Sequence, residues 1–311
     1  MQVTKKVFFI AAAAVTIVVL AVSFIYVYLI PPSEKALTGD EKAALVYDRA
    51  LYFLDTGDEV NAVKGFTAVA EVFGDSKYTE MALRHLAEVY LRKGDNDNAG
   101  YYYSWLLKSF PAAKDAPKIQ EELEKISMQK LMTPEDSPGN AEYIVQPGDS
   151  LYAIAKKFNT TVAFIKKTNA LETDTIRIGQ KLNINVPKFS IFVDKSENTL
   201  ILIKDGEPFK TYSVATGKDN STPVGVFTIV DKMEKPVWTK PGVGMIMPDS
   251  EEYELGERWI PISAQGYGIH GTSDETSIGK QSTAGCVRMR NEDVIELYDI
   301  VPRGTEVEIV D

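Results

Sequence analysis

The sequence predicts a multidomain chain with a single transmembrane helix, α-helical repeats, a small βααβ unit and a mainly β C-terminal domain. Three observations predict this order. Residues 7–30 carry no charge, the segment after them repeats itself every 37 residues, and the hydrophobic pattern beyond residue 188 alternates as in strands. The segment boundaries are 1–6, 7–30, 31–40, 41–129, 130–141, 142–187 and 188–311.

Composition narrows the chemistry open to this chain. Its 311 residues include 44 acidic and 34 basic side chains, and the net charge of -10 disfavours a nucleic-acid partner. A single cysteine, Cys286, excludes an internal disulfide and a zinc site built on several cysteines. The only histidines are His85 and His270. We therefore expect no metal and no cofactor, and nucleophilic chemistry has few candidate side chains.

Residues 7–30 predict a membrane anchor. As a helix with a rise of about 1.5 Å per residue, this run would reach about 36 Å, enough to cross a hydrocarbon core of about 30 Å. Lys5 and Lys6 precede it, so the positive-inside rule predicts residues 1–6 in the cytoplasm. The prediction is a single-pass protein of the cytoplasmic (inner) membrane, with residues 31–311 in the periplasm or cell-wall space. The alternative, a cleaved signal peptide, would have an apolar run of only about 7–15 residues.

Residues 41–129 contain an internal repeat, after a linker at 31–40. Its repeated pairs are Gly57-Asp58 with Gly94-Asp95, Asn61-Ala62 with Asn98-Ala99, Phe66 with Tyr103, and Phe73 with Phe110. Such spacing is typical of stacked helical hairpins, and the pattern resembles a pair of tetratricopeptide repeats. Two units are few for a solenoid, so we expect one face to dock on a protein partner or to act as a spacer. His85 is predicted to be an ordinary residue of a helix surface.

A linker at 130–141 separates these repeats from a short unit at 142–187. Its pattern predicts a strand, a turn, two short helices and a second strand. The segments QPGDSLYAIAKKF and IRIGQKLNI make the unit resemble a LysM domain. The resemblance implies a groove for the glycan strands of peptidoglycan between two loops, formed by Gly148, Asp149, Ser150, Thr175 and Ile176. The alternative is a small domain that folds but binds no sugar.

Residues 188–311 predict a β-rich domain with one notable helix. Strands are expected near 189–193, 199–203, 226–230 and 305–310, with a hairpin turn at Asp205-Gly206. A helix over 292–301 is expected to be capped by Asn291.

Cys286 is the only cysteine and therefore the only candidate thiol nucleophile. His270 lies 16 residues before it. A free thiol, with a pKa of about 8.5, is a poor nucleophile at neutral pH unless an imidazole takes its proton. Glycine and alanine flank both side chains, which allows a substrate to approach the backbone closely. A lone cysteine is more often a small buried hydrophobe, so this alternative stands beside the catalytic one.

The segment IHGTSDETSIGKQSTAGCVRMRNEDV, residues 269–294, resembles the catalytic core of the L,D-transpeptidases, the YkuD-like family. The resemblance implies that Cys286 is the nucleophile and His270 the general base. It also implies that the Gly271 carbonyl orients the imidazole and that amides at Gly285 and Cys286 form an oxyanion hole. The substrate-binding residues that it implies are Arg288, Tyr267, Trp259 and Thr283. Many members carry histidine where this chain has Ala284.

The resemblance further implies a membrane-anchored enzyme whose cysteine forms a thioester with a peptidoglycan tetrapeptide stem and releases D-alanine. The acyl group would pass to an amine, or to water in a carboxypeptidase. Serine enzymes with an S-x-x-K motif are an alternative, and Ser127 and Ser277 match it, but no K-T-G accompanies them. NlpC-type hydrolases place the cysteine before the histidine, unlike this chain. A passive wall-binding scaffold is the remaining alternative.

Overall fold

The computed structural model describes residues 37–74, 76–133, 141–240 and 242–311. The predicted anchor at 7–30, the preceding segment 1–6 and most of both linkers lie outside the described residues. Within those described ranges, no helix has the length and apolar character needed to cross a membrane. The chain divides into two compact units, with the boundary between Ser127 and Met128.

The N-terminal unit is helical, as predicted. Its elements are α1 (Gly39–Asp55), α2 (Glu59–Val72), α3 (Lys77–Arg92), α4 (Asn96–Ser109) and α5 (Ala116–Met132), the last of which crosses the unit boundary. The first helix begins at Gly39, inside the predicted linker 31–40. The reason is a capping box, in which Thr38 Oγ1 accepts from the Glu41 amide while Glu41 Oε2 accepts from the Thr38 amide at 2.9 Å. At the other end, α5 continues three residues into the predicted linker 130–141.

The repeated Gly-Asp pairs have the same structure in both copies. Gly57 and Gly94 adopt left-handed backbone angles after one helix ends, with φ of 81° and 72°. The aspartate that follows caps the next helix, since Asp58 accepts from the Asn61 amide at 3.2 Å and Asp95 from the Asn98 amide at 3.1 Å. The period of 37 residues is therefore the distance between two equivalent helix-to-helix turns.

His85 is not the plain surface residue that the sequence predicts. Its ring stacks on Phe66 with centroids 4.9 Å apart, and its Nε2 lies 2.9 Å from the hydroxyl of Tyr47. Both partners belong to the core of the helical unit, so the imidazole packs between helices. Residues far apart in sequence supply this environment, which explains why the local helical pattern misplaces the side chain.

The next segment forms the predicted βααβ unit. Strands β1 (Ala141–Ile144) and β2 (Lys181–Ile184) pair antiparallel and enclose helices α6 (Leu151–Lys157) and α7 (Val162–Thr168). Ser150 caps α6, with its Oγ accepting from the Ala153 amide at 3.1 Å. Leu151, Ile154, Ile165, Leu182 and Ile184 form its small core.

The C-terminal domain is mainly β, as predicted. A five-stranded sheet has the order β5-β4-β3-β15-β7. Its strands are β3 (Phe189–Asp194), β4 (Thr199–Lys204), β5 (Glu207–Ser213), β7 (Gly225–Thr228) and β15 (Glu306–Val310). Asp205 and Gly206 form the predicted hairpin turn between β4 and β5, both with positive φ.

A second sheet of four strands carries the candidate site. Its order is β14-β12-β11-β8, with β8 (Met233–Glu234), β11 (Arg258–Pro261), β12 (Gly268–His270) and β14 (Val287–Arg288). Strands β12 and β14 run parallel, and His270 pairs in register with Arg288. This pairing places His270 beside the segment that directly follows Cys286 in one sheet.

Helix α8 (Asn291–Ile300) and the remaining short strands complete the domain. These strands are β6 (Thr216–Gly217), β9 (Trp238–Lys240), β10 (Gly244–Ile246) and β13 (Gln281–Thr283). The apolar face of α8 packs against both sheets in one core, whose members include Val193, Leu200, Leu202, Ile269, Val287, Met289, Val294 and Leu297.

Candidate active site

Cys286 lies in the turn between β13 and β14 and is partly exposed. Gly285, just before it, has φ of 127°, in a region where side chains are rarely found. A Cβ on Gly285 would lie 2.6 Å from the ring of Tyr267 and 3.2 Å from the carbonyl of Ser221. Only glycine fits here, so the glycine before the cysteine fixes the turn that presents the thiol. Tyr267 forms a wall of this turn.

His270 ends β12 and is buried. Its Nδ1 lies 2.6 Å from the carbonyl of Gly271, and its ring centroid lies 5.8 Å from that of Trp259. In the neutral imidazole, Nδ1–H donates to this carbonyl and leaves Nε2 unprotonated. The Gly271 carbonyl thus has the position that the family resemblance implies for it.

Cys286 and His270 line the same pocket, with a volume of about 370 Å³. Trp259, Thr283 and Arg288 line it as well, whereas Tyr267 stands behind Gly285. Apolar side chains of the neighbouring β8–β9 segment form the rim, namely Met233, Pro236, Val237 and Trp238. The structure therefore brings one thiol, one imidazole and one guanidinium to a single accessible cavity.

The electrostatics of the pocket keep the thiol and the imidazole neutral at rest. Burial, assisted by the Arg288 guanidinium, lowers the pKa of His270 to about 4, although the Gly271 carbonyl opposes this shift. Burial raises the pKa of the Cys286 thiol, while a hydrogen bond with the Gly268 backbone and the charge of Arg288 act in the opposite direction. An unprotonated imidazole at neutral pH can accept a proton from the thiol as the sulfur attacks.

Two contacts hold the guanidinium of Arg288. Its Nη2 lies 3.3 Å from a carboxylate oxygen of Glu254, and its Nη1 lies 3.3 Å from Ser277 Oγ. Among the described residues, its buried Nε has no hydrogen-bond partner. A buried donor without a partner costs about 1–3 kcal/mol, so the contacts with Glu254 and Ser277 must hold this side chain in place.

The predicted oxyanion hole needs a correction at Gly285. Its amide already donates to Thr283 Oγ1 at 3.1 Å, and the same hydroxyl donates to the Cys286 carbonyl at 2.7 Å. Thr283 therefore stabilises the turn, and its hydroxyl already accepts from the Gly285 amide, one of the two donors predicted for the oxyanion hole. Of that pair, the Cys286 amide is the one that this conformation leaves for a developing oxyanion.

Asn291 also belongs to the site, although the sequence predicts it as the cap of the helix over 292–301. Its side chain does not cap α8, whose N-cap is Arg290. Instead, Asn291 Oδ1 accepts from the amides of Glu257 at 3.0 Å and Thr272 at 3.2 Å, while Nδ2 donates to the Thr272 carbonyl at 2.7 Å. These bonds fix the backbone directly after Gly271, whose carbonyl orients His270.

We expect Asn291→Ala to slow acylation of Cys286 about 100-fold, because a small displacement of the imidazole misplaces the base. The free energy of unfolding should also fall by about 1–3 kcal/mol, since backbone groups lose their partner. Acylation rates at saturating donor measure the first effect and thermal unfolding the second. Asn291→Asp keeps the acceptor for both amides but loses the donor to the Thr272 carbonyl, so its acylation rate should lie between those of wild type and Asn291→Ala. Equal acylation rates in wild type and Asn291→Ala would contradict this role.

The predicted glycan-binding residues lie on two loops of the βααβ unit. Gly148 has φ of 88°, and Asp149 accepts from the Gln146 amide and the Tyr143 hydroxyl, both at 2.7 Å. Ser150 is the N-cap of α6. Thr175 is exposed, whereas Ile176 packs against the small core. Asp149 and Ser150 thus stabilise the first loop, and Thr175 is open to a ligand.

Comparison with known proteins places two families along this chain. The L,D-transpeptidase catalytic domain (YkuD) matches residues 188–309, and the LysM domain matches residues 143–185. The chain is 42% identical over 127 residues to the Bacillus subtilis protein YqjB, named as an L,D-transpeptidase, covering 39% of this chain and 70% of that protein.

Similarity was also found to a second B. subtilis protein and to a solved structure. The B. subtilis protein YkuD, also named as an L,D-transpeptidase, is 35% identical over 175 residues, which cover 54% of this chain and 97% of that protein. A solved L,D-transpeptidase from Mycobacterium smegmatis is similar with 23% identity and a TM-score of 0.36. That similarity covers 43% of this chain and 65% of the solved one.

Proposed function

This chain belongs to the L,D-transpeptidase family, whose members are acyltransferases that cross-link peptidoglycan, and from that premise we propose the reaction of its own site. Cys286 attacks the carbonyl of the third residue of a tetrapeptide stem and expels the terminal D-alanine. The resulting thioester passes its acyl group to an amine, which forms a 3-3 cross-link or attaches a protein or D-amino acid. The observation that carries this proposal is the cavity shared by Cys286 and His270.

The proton movements follow from the neutral resting pair. As Sγ forms its bond to the stem carbonyl, its proton passes to the unprotonated nitrogen of His270, which the Nδ1 contact with Gly271 orients. The imidazolium then gives this proton to the departing D-alanine amine. In the second half-reaction, His270 takes a proton from the acceptor amine and returns it to the thiolate as the thioester breaks. The Cys286 amide stabilises both tetrahedral oxyanions.

Arg288 has two tasks in this proposal. Its charge favours the thiolate over the thiol, and as a lining residue of the pocket it can attract a carboxylate of the stem peptide. Once a stem peptide fills the pocket, Trp259 and the apolar β8–β9 side chains leave less room for water at the thioester, which favours an amine as acceptor.

The remaining segments would deliver this site to the cell wall. The uncharged run at 7–30 supports anchoring in the cytoplasmic membrane, with the N-terminus inside and the catalytic domain in the periplasm or cell-wall space. The LysM domain would hold glycan strands and raise the local concentration of stems near Cys286. The helical unit, which resembles tetratricopeptide repeats, would set the reach of the chain or dock a protein partner.

The proposed reaction is tested by incubating the purified chain with a synthetic tetrapeptide stem and a second stem as acceptor. We expect free D-alanine and a product joined between two third-position residues, both detected by mass spectrometry. Release of D-alanine with a tripeptide as the sole product would assign water as acceptor and make the enzyme a carboxypeptidase. An unchanged tetrapeptide would contradict the proposal.

A further inference from the structure

A second cavity, of about 1060 Å³, lies between the LysM domain and the catalytic domain. Its size is at the top of the range of about 300–1,000 Å³ typical of ligand sites. Helices α6 and α7 form one wall, and β8 with the end of α8 forms the other. We call this cavity the interdomain cleft.

The walls of the interdomain cleft are fixed to each other. Asp299, on α8, accepts through its carbonyl from the Thr161 hydroxyl, and its carboxylate lies 2.7 Å from Lys167 Nζ. Beside these contacts, the rings of Phe164 and Phe189 meet edge-to-face with centroids 6.4 Å apart. Polar and apolar contacts together hold the LysM and catalytic domains in this arrangement, so the walls of the cleft have a fixed geometry.

Most of the charge in the interdomain cleft is already neutralised. Lys167 pairs with Asp299, Lys166 lies 2.7 Å from Asp174, and Arg303 pairs with Asp231. The other charged lining residues are two lysines, Lys156 and Lys232, and two glutamates, Glu172 and Glu234, so a polyanion such as a nucleic acid would meet no net positive charge there. The cleft therefore favours a ligand that is rich in hydrogen-bonding groups and carries little net charge.

The side chains that remain suit a saccharide. Tyr152 is 68% exposed and presents its ring in the wall of the cleft, where the apolar face of a sugar can pack on it. Lys156 and Asn159 add polar groups beside it. Deeper in the cleft, the partly buried Lys232 ammonium donates to the Tyr298 carbonyl and lies 4.3 Å from the centroid of that ring, which leaves further donors for an acetamido oxygen.

Strand β8 separates the interdomain cleft from the active-site pocket. Met233 lines the active-site pocket, while its neighbours Lys232 and Glu234 line the cleft. Alternate residues of a strand point to opposite faces, so the two cavities lie on either side of one edge strand. A polymer in the cleft would pass within one strand's width of the pocket that contains Cys286.

We propose that the interdomain cleft is a second saccharide-binding site, which holds the N-acetylhexosamine strand of the acyl donor while its stem peptide crosses β8 to reach Cys286. The inference rests on the proposed function for the identity of the donor. The glycan strand of peptidoglycan carries its stems on amide-linked lactyl groups and is therefore nearly neutral, which matches the neutralised lining. The cleft includes Leu171, Glu172 and Asp174 of the loop that continues to Thr175, but the five predicted groove residues, Gly148, Asp149, Ser150, Thr175 and Ile176, are not among its lining residues.

Calorimetric titration of the full chain with chitotetraose tests the cleft directly. We expect two saccharide sites in wild type, one in Tyr152→Ala, and one in Thr175→Arg, which places a bulky side chain in the loop groove. The double variant should bind none. Tyr152→Phe should keep both sites because it keeps the ring, and Tyr101→Ala is the matched control, since Tyr101 is an exposed tyrosine of the helical unit. Unchanged stoichiometry in Tyr152→Ala, or loss of all binding in Thr175→Arg alone, would overturn the proposal.

A kinetic comparison separates this inference from the reaction on which it rests. Tyr152→Ala should react with a free tetrapeptide stem at the wild-type rate but with glycan-linked stems at least about tenfold more slowly, because only the latter gain from a second contact. Equal slowing with both donors would contradict a saccharide role. If wild type fails with the free tetrapeptide, the proposed reaction fails, while the titration still decides whether the cleft binds saccharide.

Discussion

Cys286→Ala is expected to abolish acyl transfer entirely, because no other described side chain of the active-site pocket is a thiol. Neither D-alanine release nor a covalent adduct of the stem peptide should be detectable with this variant. Cys286→Ser should also lose transfer, since the hydroxyl holds its proton far more firmly than a thiol and the imidazole of His270 is a weak base.

Cys286→Ala also separates the enzyme from a passive scaffold. The thiol is partly exposed at a turn that Gly285 fixes, so its removal should leave folding intact, which thermal unfolding can verify. Binding to isolated sacculi should be unchanged. If cells that carry only Cys286→Ala keep wild-type cross-links, the protein acts as a tether and not as a transferase.

His270→Ala is expected to slow acylation of Cys286 by about 10²–10⁴-fold, the usual contribution of a general base. In wild type, the lowered pKa of His270 keeps the imidazole unprotonated from neutral pH down to about 4. The acylation rate should therefore stay level as the pH falls through 6.5, where an ordinary histidine becomes charged, and should fall only as the pH approaches 4.

The raised pKa of the Cys286 thiol determines the alkaline side of the dependence of its reactivity on pH. Thiolate should form without help only above the ordinary range for cysteine, so direct alkylation of the thiol should rise on the alkaline side. Acylation by a tetrapeptide stem, followed as D-alanine release between pH 4 and 10 in wild type and in His270→Ala, measures both limbs. An acid limb near pH 6.5 in wild type would contradict the buried, neutral imidazole described here.

Protonation of His270 should also affect stability, with a definite sign. Its pKa is lower in the folded chain than the ordinary 6.5, so the unfolded chain binds more protons between these values. The stability contributed by the neutral form is fully present above pH 6.5 and is lost as the pH falls toward 4. The difference in unfolding free energy between wild type and His270→Ala should shrink over that window.

Local patterns were enough to predict much of this architecture. The alternation in β3 and β4 matches their alternating burial, and the Gly-Asp repeat corresponds to two equivalent helix caps. The thiol and the imidazole could be paired because the segment 269–294 carries both within one recognisable motif. In each case the signal lies within a short stretch of chain.

Features that depend on distant contacts could not be predicted in this way. Asparagine before a helix is a good cap, so nothing local indicated that Asn291 would instead bind the backbone of Glu257 and Thr272. Likewise, the sequence predicts the Gly285 amide as an oxyanion donor, and only the folded turn shows that this amide donates to Thr283 Oγ1. The interdomain cleft has walls from two domains, so no single segment carries its pattern.

The most direct measurement is the intact mass of the chain after brief exposure to a tetrapeptide stem without an acceptor. The account predicts a covalent increment equal to the stem less its terminal D-alanine, mapped by proteolysis to the peptide that contains Cys286. The increment should be absent in Cys286→Ala and should form far more slowly in His270→Ala. D-alanine release by Cys286→Ala at the wild-type rate, or an adduct mapped to any other residue, would contradict the account.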